Sequence, residues 1–162
     1  MKMIVDEKFI VRRMDRDLFH AVKKMNYRDF WLEEKFQREF VHKYNEEKNL
    51  IENNVDERRN EDKVKENFIS GIIPEIILVS QFNYSFDKKY KDVIDPHGNS
   101  VEVKTTSSKN KIFRVLEDVN AKAKDPKYKK SRADHLYIYV RDPKTTIYEM
   151  TRTYCWNGYS FA

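Results

Sequence analysis

"DVIDPHGNSVEVKTT", residues 92–106, is the stretch on which the reading of the chain turns. On both sides of Pro96, His97, Gly98 and Asn99 the pattern has a period of two, the spacing at which strand side chains alternate between faces. Pro and Gly in the interruption are turn residues, so the stretch predicts a β-hairpin. In its second strand Val101, Val103 and Thr105 share one face, and Glu102, Lys104 and Thr106 share the other. The valines belong to a core. That leaves a glutamate and a lysine side by side on the opposite face, about 7 Å apart by the usual rise per residue. Asp92 and Asp95 in the preceding strand each offer a carboxylate that pairing can set across from Glu102. An odd number of loop residues selects Asp92 and an even number Asp95. Asp95 directly precedes Pro96 and suits the turn itself, so Asp92 is the favoured partner.

Working outward, "GIIPEIILVSQF" (71–82) predicts a helix that starts near Pro74, a residue suited to a first turn. Ser70 and Gly71 interrupt the pattern before it, Ile76, Ile77, Val79 and Phe82 form its apolar body, and Glu75 is its one acid. After the hairpin, Ile112, Val115, Leu116 and Val119 fall at helical spacing. "HLYIYVRD" (135–142) and "TTIYEMTR" (145–152) then read as two more strands. The aromatic residues of "HLYIYV" fit core packing, whereas Trp156 and Tyr159 suit either the core or stacking on an unpaired base. Residues 15–69 read as helical, with Asp15 as a cap and Phe36, Phe40 and Tyr44 recurring every four places; residues 51–67 are nearly all polar. The expected fold is α/β, a central mixed β-sheet flanked by helices, with an N-terminal helical segment. The expected division is 1–69 for that segment and 70–162 for the core, the two forming one compact unit.

Charge adds a partner class. The 162 residues carry a net charge of +5 with 36% charged residues, yet also ten Phe and ten Tyr, so a real core is affordable. The excess is concentrated in "KAKDPKYKKSR" (122–132), where Lys122, Lys124, Lys127, Lys129, Lys130 and Arg132 face only Asp125. Lys109 and Lys111 follow the hairpin closely. Such a patch suits a phosphate backbone. Cys155 is the single cysteine, which excludes an intramolecular disulfide and a Cys-rich zinc site. His20, His42 and His135 lack metal-ligand spacing, and His97 belongs to the turn. No apolar run suits a membrane and the first residues lack a signal-peptide core, so a cytoplasmic protein with no membrane partner is expected.

"D-V-I-D-P-H-G-N-S-V-E-V-K-T", preceded by "G-I-I-P-E-I-I-L-V", resembles the motif of the PD-(D/E)XK nuclease superfamily. Its signature is an acid on one hairpin strand and Glu/Asp-X-Lys on the next, with a further glutamate in the first core helix. The resemblance covers residues 70 to about 150, and Lys91 stands where the name-giving pattern has Pro. It implies a restriction-endonuclease-like core and metal-dependent hydrolysis of DNA phosphodiester bonds, with an endonuclease as the expectation. Asp92, Glu102 and the Val103 backbone carbonyl are implied ligands of Mg²⁺ or Mn²⁺, with Glu75 reaching a second metal directly or through water. Glu75, Asp92, Glu102 and Lys104 are the implied catalytic residues. Lys109, Lys111, Lys122, Lys124, Lys127, Lys129, Lys130 and Arg132 are candidate nucleic-acid contacts. DNA is the expected substrate, RNA the alternative within the same fold, and a homodimer is compatible with both. The rival expectation is a nucleic-acid-binding module without catalysis.

Overall fold

Asp15 begins the first regular element by accepting hydrogen bonds from the backbone N–H groups of Asp17 and Leu18 (2.7 and 3.5 Å), which caps α1 (Arg16–Val22). The computed structural model describes residues 14–53, 61–87, 92–127 and 132–162. After α1 come β1 (Lys24–Asn26), α2 (Glu34–Asn53), α3 (Glu61–Gln81), β2 (Ser85–Phe86), β3 (Val93–Ile94), β4 (Ser100–Thr106), α4 (Ile112–Lys124), β5 (His135–Val140), β6 (Ile147–Glu149) and β7 (Thr153–Cys155). The strands form one mixed sheet in the order β1-β6-β5-β4-β3-β2, and β7 also pairs with β5. β4 and β5 are parallel and the other pairings are antiparallel. The chain is therefore α/β, with a mixed sheet flanked by helices.

Alternation along β4 and β5 sorts their side chains into two layers. Val101, Val103, Tyr137 and Tyr139 join Val22, Met25, Phe36 and the isoleucines of α3 in the larger core. Leu136 and Ile138 point to the other face, where Val119 of α4, Trp156 and Phe161 cover them. β5 is buried on both faces, so "HLYIY" is a continuous apolar and aromatic run. Four of the core tyrosines anchor their hydroxyls. Tyr84 and Tyr137 share a 2.7 Å hydrogen bond, Tyr139 donates to the Val22 carbonyl at 2.9 Å, and Tyr148 donates to the Ser70 carbonyl at 2.9 Å.

That last contact explains a departure from the sequence reading. Pro74 lies inside α3, not in the first turn of a new helix, and Ser70 and Gly71 are helical too. A helical proline removes the bond to the carbonyl four residues back, here that of Ser70. The Tyr148 hydroxyl takes that acceptor, so the helix continues. Gly71 also brings α3 close to β4, since a Cβ built there would lie 4.0 Å from the Thr105 hydroxyl oxygen.

Tertiary pairing overrides the helical reading of residues 24–26 as well. Met25 is buried opposite Tyr148, and β1 closes the β6 edge of the sheet. The expected division at 69/70 falls inside α3. The Phe36, Phe40 and Tyr44 stripe is present on α2, with successive ring centroids 6.2 Å apart. Among the described residues, no helix is long and apolar enough to cross a membrane.

Candidate active site

The hairpin register is Val93 opposite Val101 and Ile94 opposite Ser100, with the loop running from Asp95 to Asn99. This odd-numbered loop sets Asp92, one residue before β3, across from Glu102. The backbone N–H of Val103 donates to Asp92 Oδ2 at 2.8 Å, which fixes the carboxylate beside β4. A strand residue directs its N–H and C=O to the same edge, so the Val103 carbonyl is aimed to the Asp92 side as well. Burial pushes the Asp92 carboxyl above its ordinary value, and the charge of Glu102 pushes it further. The Val103 hydrogen bond, Lys104 and Lys43 pull it back.

Glu102 and Lys104 share a face of β4, and Lys104 Nζ lies 3.5 Å from Glu102 Oε1. Their side chains are 29% and 42% exposed, whereas Leu136 and Ile138, their register partners on β5, are buried beneath α4. The face is closed over β5 and open at Glu102 and Lys104, so solvent reaches these two side chains while Asp92 sits deeper beside them.

Asp95 is committed to the turn. One of its carboxylate oxygens accepts from the N–H groups of His97 and Asn99, both at 2.9 Å, and the other from Asn99 Nδ2 at 3.2 Å. Its own N–H donates to the Asn99 carbonyl at 2.8 Å, and Gly98 takes the positive φ of 87° that closes the loop. His135 Nδ1 lies 3.8 Å from the second Asp95 oxygen in the core. His97 is exposed, with Nε2 3.7 Å from Asp15.

The register of β4 against β5 depends on a pair that pattern reading passed over. Asp134 Oδ2 accepts from the N–H and the hydroxyl of Ser100 at 3.0 and 3.1 Å, and the Ser100 hydroxyl accepts from the Asp134 N–H at 3.0 Å. This reciprocal clamp pins the first residue of β4 just two positions before Glu102. An aspartate directly before a buried strand was its one trace in the sequence.

Glu75 is buried in α3, which packs on the Val101 and Val103 side of the sheet, away from the face that carries Glu102. Among the described residues, no three His, Cys, Asp or Glu side chains come together as a metal-holding group. The structure thus brings Asp92, Glu102 and Lys104 together and leaves Glu75 in a separate layer. Lys109 and Lys111 are exposed at the amino end of α4, and Lys122, Lys124 and Lys127 are exposed near its carboxyl end. A helix of this length separates the two groups by about 20 Å. Arg132 stacks on Trp156, its guanidinium carbon 3.9 Å from the ring centroid, and Lys124 Nζ sits 4.4 Å from the Tyr159 ring. Trp156 is therefore core, packed edge-on against Phe161, while Tyr159 is exposed. Lys129 and Lys130 lie outside the described residues.

Two carboxylates held across a hairpin repel one another, and one of them is already desolvated. Oxygen donors in that state suit a hard divalent cation such as Mg²⁺ or Mn²⁺, so Asp92, Glu102 and the Val103 carbonyl fit such an ion as a donor set. Comparison with known proteins finds no matching family model, and no significant match to a curated protein or a solved structure.

Proposed function

We propose that the chain hydrolyses phosphodiester bonds of DNA with Asp92, Glu102 and Lys104 as its chemical centre, and that its core is restriction-endonuclease-like. The reading rests on one observation: Asp92, tied to the Val103 N–H at 2.8 Å, lies across from Glu102 in a hairpin whose next outward side chain is Lys104. Support also comes from element order. α3, the β3–β4 hairpin, then α4 and β5 follow the succession that the motif resemblance implies.

In this reading Asp92 and Glu102 bind a divalent ion, with the Val103 carbonyl beside them. When bound, that ion supplies neutralisation of the charge that builds on phosphorus and a more acidic water. Lys104 orients the attacking water or, as the neutral amine, takes its proton, and as the ammonium it offsets the negative charge that builds on the phosphate. Lys109 and Lys111 extend the positive field along the substrate.

The test is incubation of the purified chain with supercoiled plasmid, single-stranded DNA, a four-way junction and RNA, each with Mg²⁺, Mn²⁺ or EDTA. Nicking that vanishes in EDTA and in Lys104→Ala supports the proposal; equal activity in the variant marks a contaminant and removes it. The exposed lysines at both ends of α4 favour a second reading, a nucleic-acid-binding module without catalysis. It predicts salt-sensitive DNA binding with no cleavage under any metal condition.

A further inference from the structure

A second polar site lies at the carboxyl end of the parallel pair β4–β5, the end at which open α/β sheets tend to bind ligands. A cavity of about 360 Å³ there is lined by Glu66, Ser70, Thr105, Thr106, Ser107 and Arg141, with Pro143 at its rim. Arg141 continues the ladder through its N–H, which donates to the Thr106 carbonyl at 2.9 Å. Its guanidinium is held on one side only. Nε donates to the Thr145 carbonyl at 3.1 Å, and Nη1 donates to the Ser70 hydroxyl at 3.2 Å and the Tyr148 hydroxyl at 3.4 Å. The rings of Tyr27 and Tyr148 flank it, each with its centroid 5.5 Å away.

A purely structural clamp accounts for Nε and Nη1. It leaves Nη2 without a described acceptor, and among the described residues no carboxylate lies within ion-pair distance of this arginine. The hydroxyls beside it are polarised in the same sense. The Ser70 hydroxyl accepts from Arg141, and the Ser107 hydroxyl accepts from Lys111 Nζ at 3.0 Å, so each has its own proton to give. The Thr105 and Thr106 hydroxyls line the same space. A fixed guanidinium fork and converging O–H donors match an oxyanion with several acceptor oxygens.

We propose that this cavity is a phosphate-binding subsite, with Arg141 as its anchor and Ser70, Ser107, Thr105 and Thr106 as its hydroxyl donors. The phosphate belongs either to a small molecule or to a nucleic-acid backbone, and the volume admits the phosphate together with the group that carries it. Glu66 is the one acid of the lining among the described residues and opposes a bound anion. The inference stands apart from the cleavage reading, because it uses none of Asp92, Glu102 or Lys104.

The test is an amide NMR titration of the whole chain in EDTA with inorganic phosphate, against chloride at matched ionic strength. Adenosine monophosphate and a short DNA duplex without terminal phosphates follow as separate arms. Phosphate is expected to shift the signals of residues 105–107 and the Arg141 Nε–H selectively. Arg141→Gln is expected to weaken binding about tenfold, as loss of a charge-assisted donor does. Because Arg141 also braces two tyrosines, Ser107→Ala serves as the variant that spares the fold, with a smaller loss. Glu66→Gln is expected to tighten binding. Response of these signals to the duplex assigns the backbone as the source, and response to phosphate and the mononucleotide alone assigns a small molecule. No shift beyond chloride in any arm, or equal affinity in both Arg141→Gln and Ser107→Ala, overturns the proposal.

Discussion

The Tyr148 hydroxyl donates to the Ser70 carbonyl at 2.9 Å, the acceptor that Pro74 deprives of its helical partner four residues on. One hydroxyl on β6 thus repairs the interior of α3. Tyr148→Phe removes the donor from that part-buried carbonyl and is expected to cost about 1 kcal/mol in chemical denaturation. Pro74→Ala restores the missing N–H, so the two substitutions are expected to be non-additive: the Tyr148→Phe loss shrinks in the Pro74→Ala background. Equal losses in both backgrounds would show that the hydroxyl serves Arg141 instead.

Asp92 separates stability from activity. Its carboxyl is held above the ordinary value of 3.8, first by burial. A folded carboxyl that binds its proton more tightly than the unfolded one lowers stability as pH rises from the unfolded value through the folded one; the loss is absent below the first and complete and constant above the second. Asp92→Asn keeps an oxygen for the Val103 N–H and removes the charge. Thermal unfolding of the metal-free variant is expected to occur at a higher Tm than wild type at neutral pH, with the gap closing at acidic pH, while DNA nicking is lost.

Asp95 is expected to behave in the opposite way. Asp95→Ala strips the acceptor from two backbone N–H groups of the loop, a change of roughly 1–3 kcal/mol by urea denaturation. Nicking per folded molecule is expected to persist. If Asp95→Asn alone abolishes cleavage and Asp92→Asn does not, the assignment of the metal-facing acid is reversed.

The basic residues divide into two kinds. Arg132, stacked on Trp156, is expected to cost about 0.5–1 kcal/mol as Arg132→Ala and to change tryptophan fluorescence. Lys109→Ala and Lys122→Ala remove exposed charges and are expected to leave stability alone. Each is expected to lower the salt slope of DNA binding by about 1, measured by fluorescence anisotropy with increasing salt.

Local chemistry was legible wherever it acted within a few residues. The Asp95 turn, the Val101 and Val103 face and the α4 stripe all follow from period and turn residues. What escaped depends on distant partners. Nothing near Pro74 signals that Tyr148 will supply its missing bond, and nothing near Met25 signals that it will lie opposite Tyr148. The same holds at the site. Asp92 and Glu102 are local to one hairpin and were found together, whereas Glu75 depends on how α3 packs and lies in another layer. Asp134 and Arg141 carry no motif, because their roles exist only once β4 and β5 are side by side.

The pairing of β1 with β6 has a consequence for biogenesis. Thr146 and Asn26, whose side chains hydrogen-bond at 2.5 Å, are 120 positions apart. A nascent chain leaving the ribosome must hold Met25 in waiting until β6 has been synthesised, since only then does its resting place exist. Closure of such a long span is slow relative to local helix formation. A polypeptide halted before Ile147 would carry an unsheltered methionine and a raw sheet margin, a natural target for chaperones.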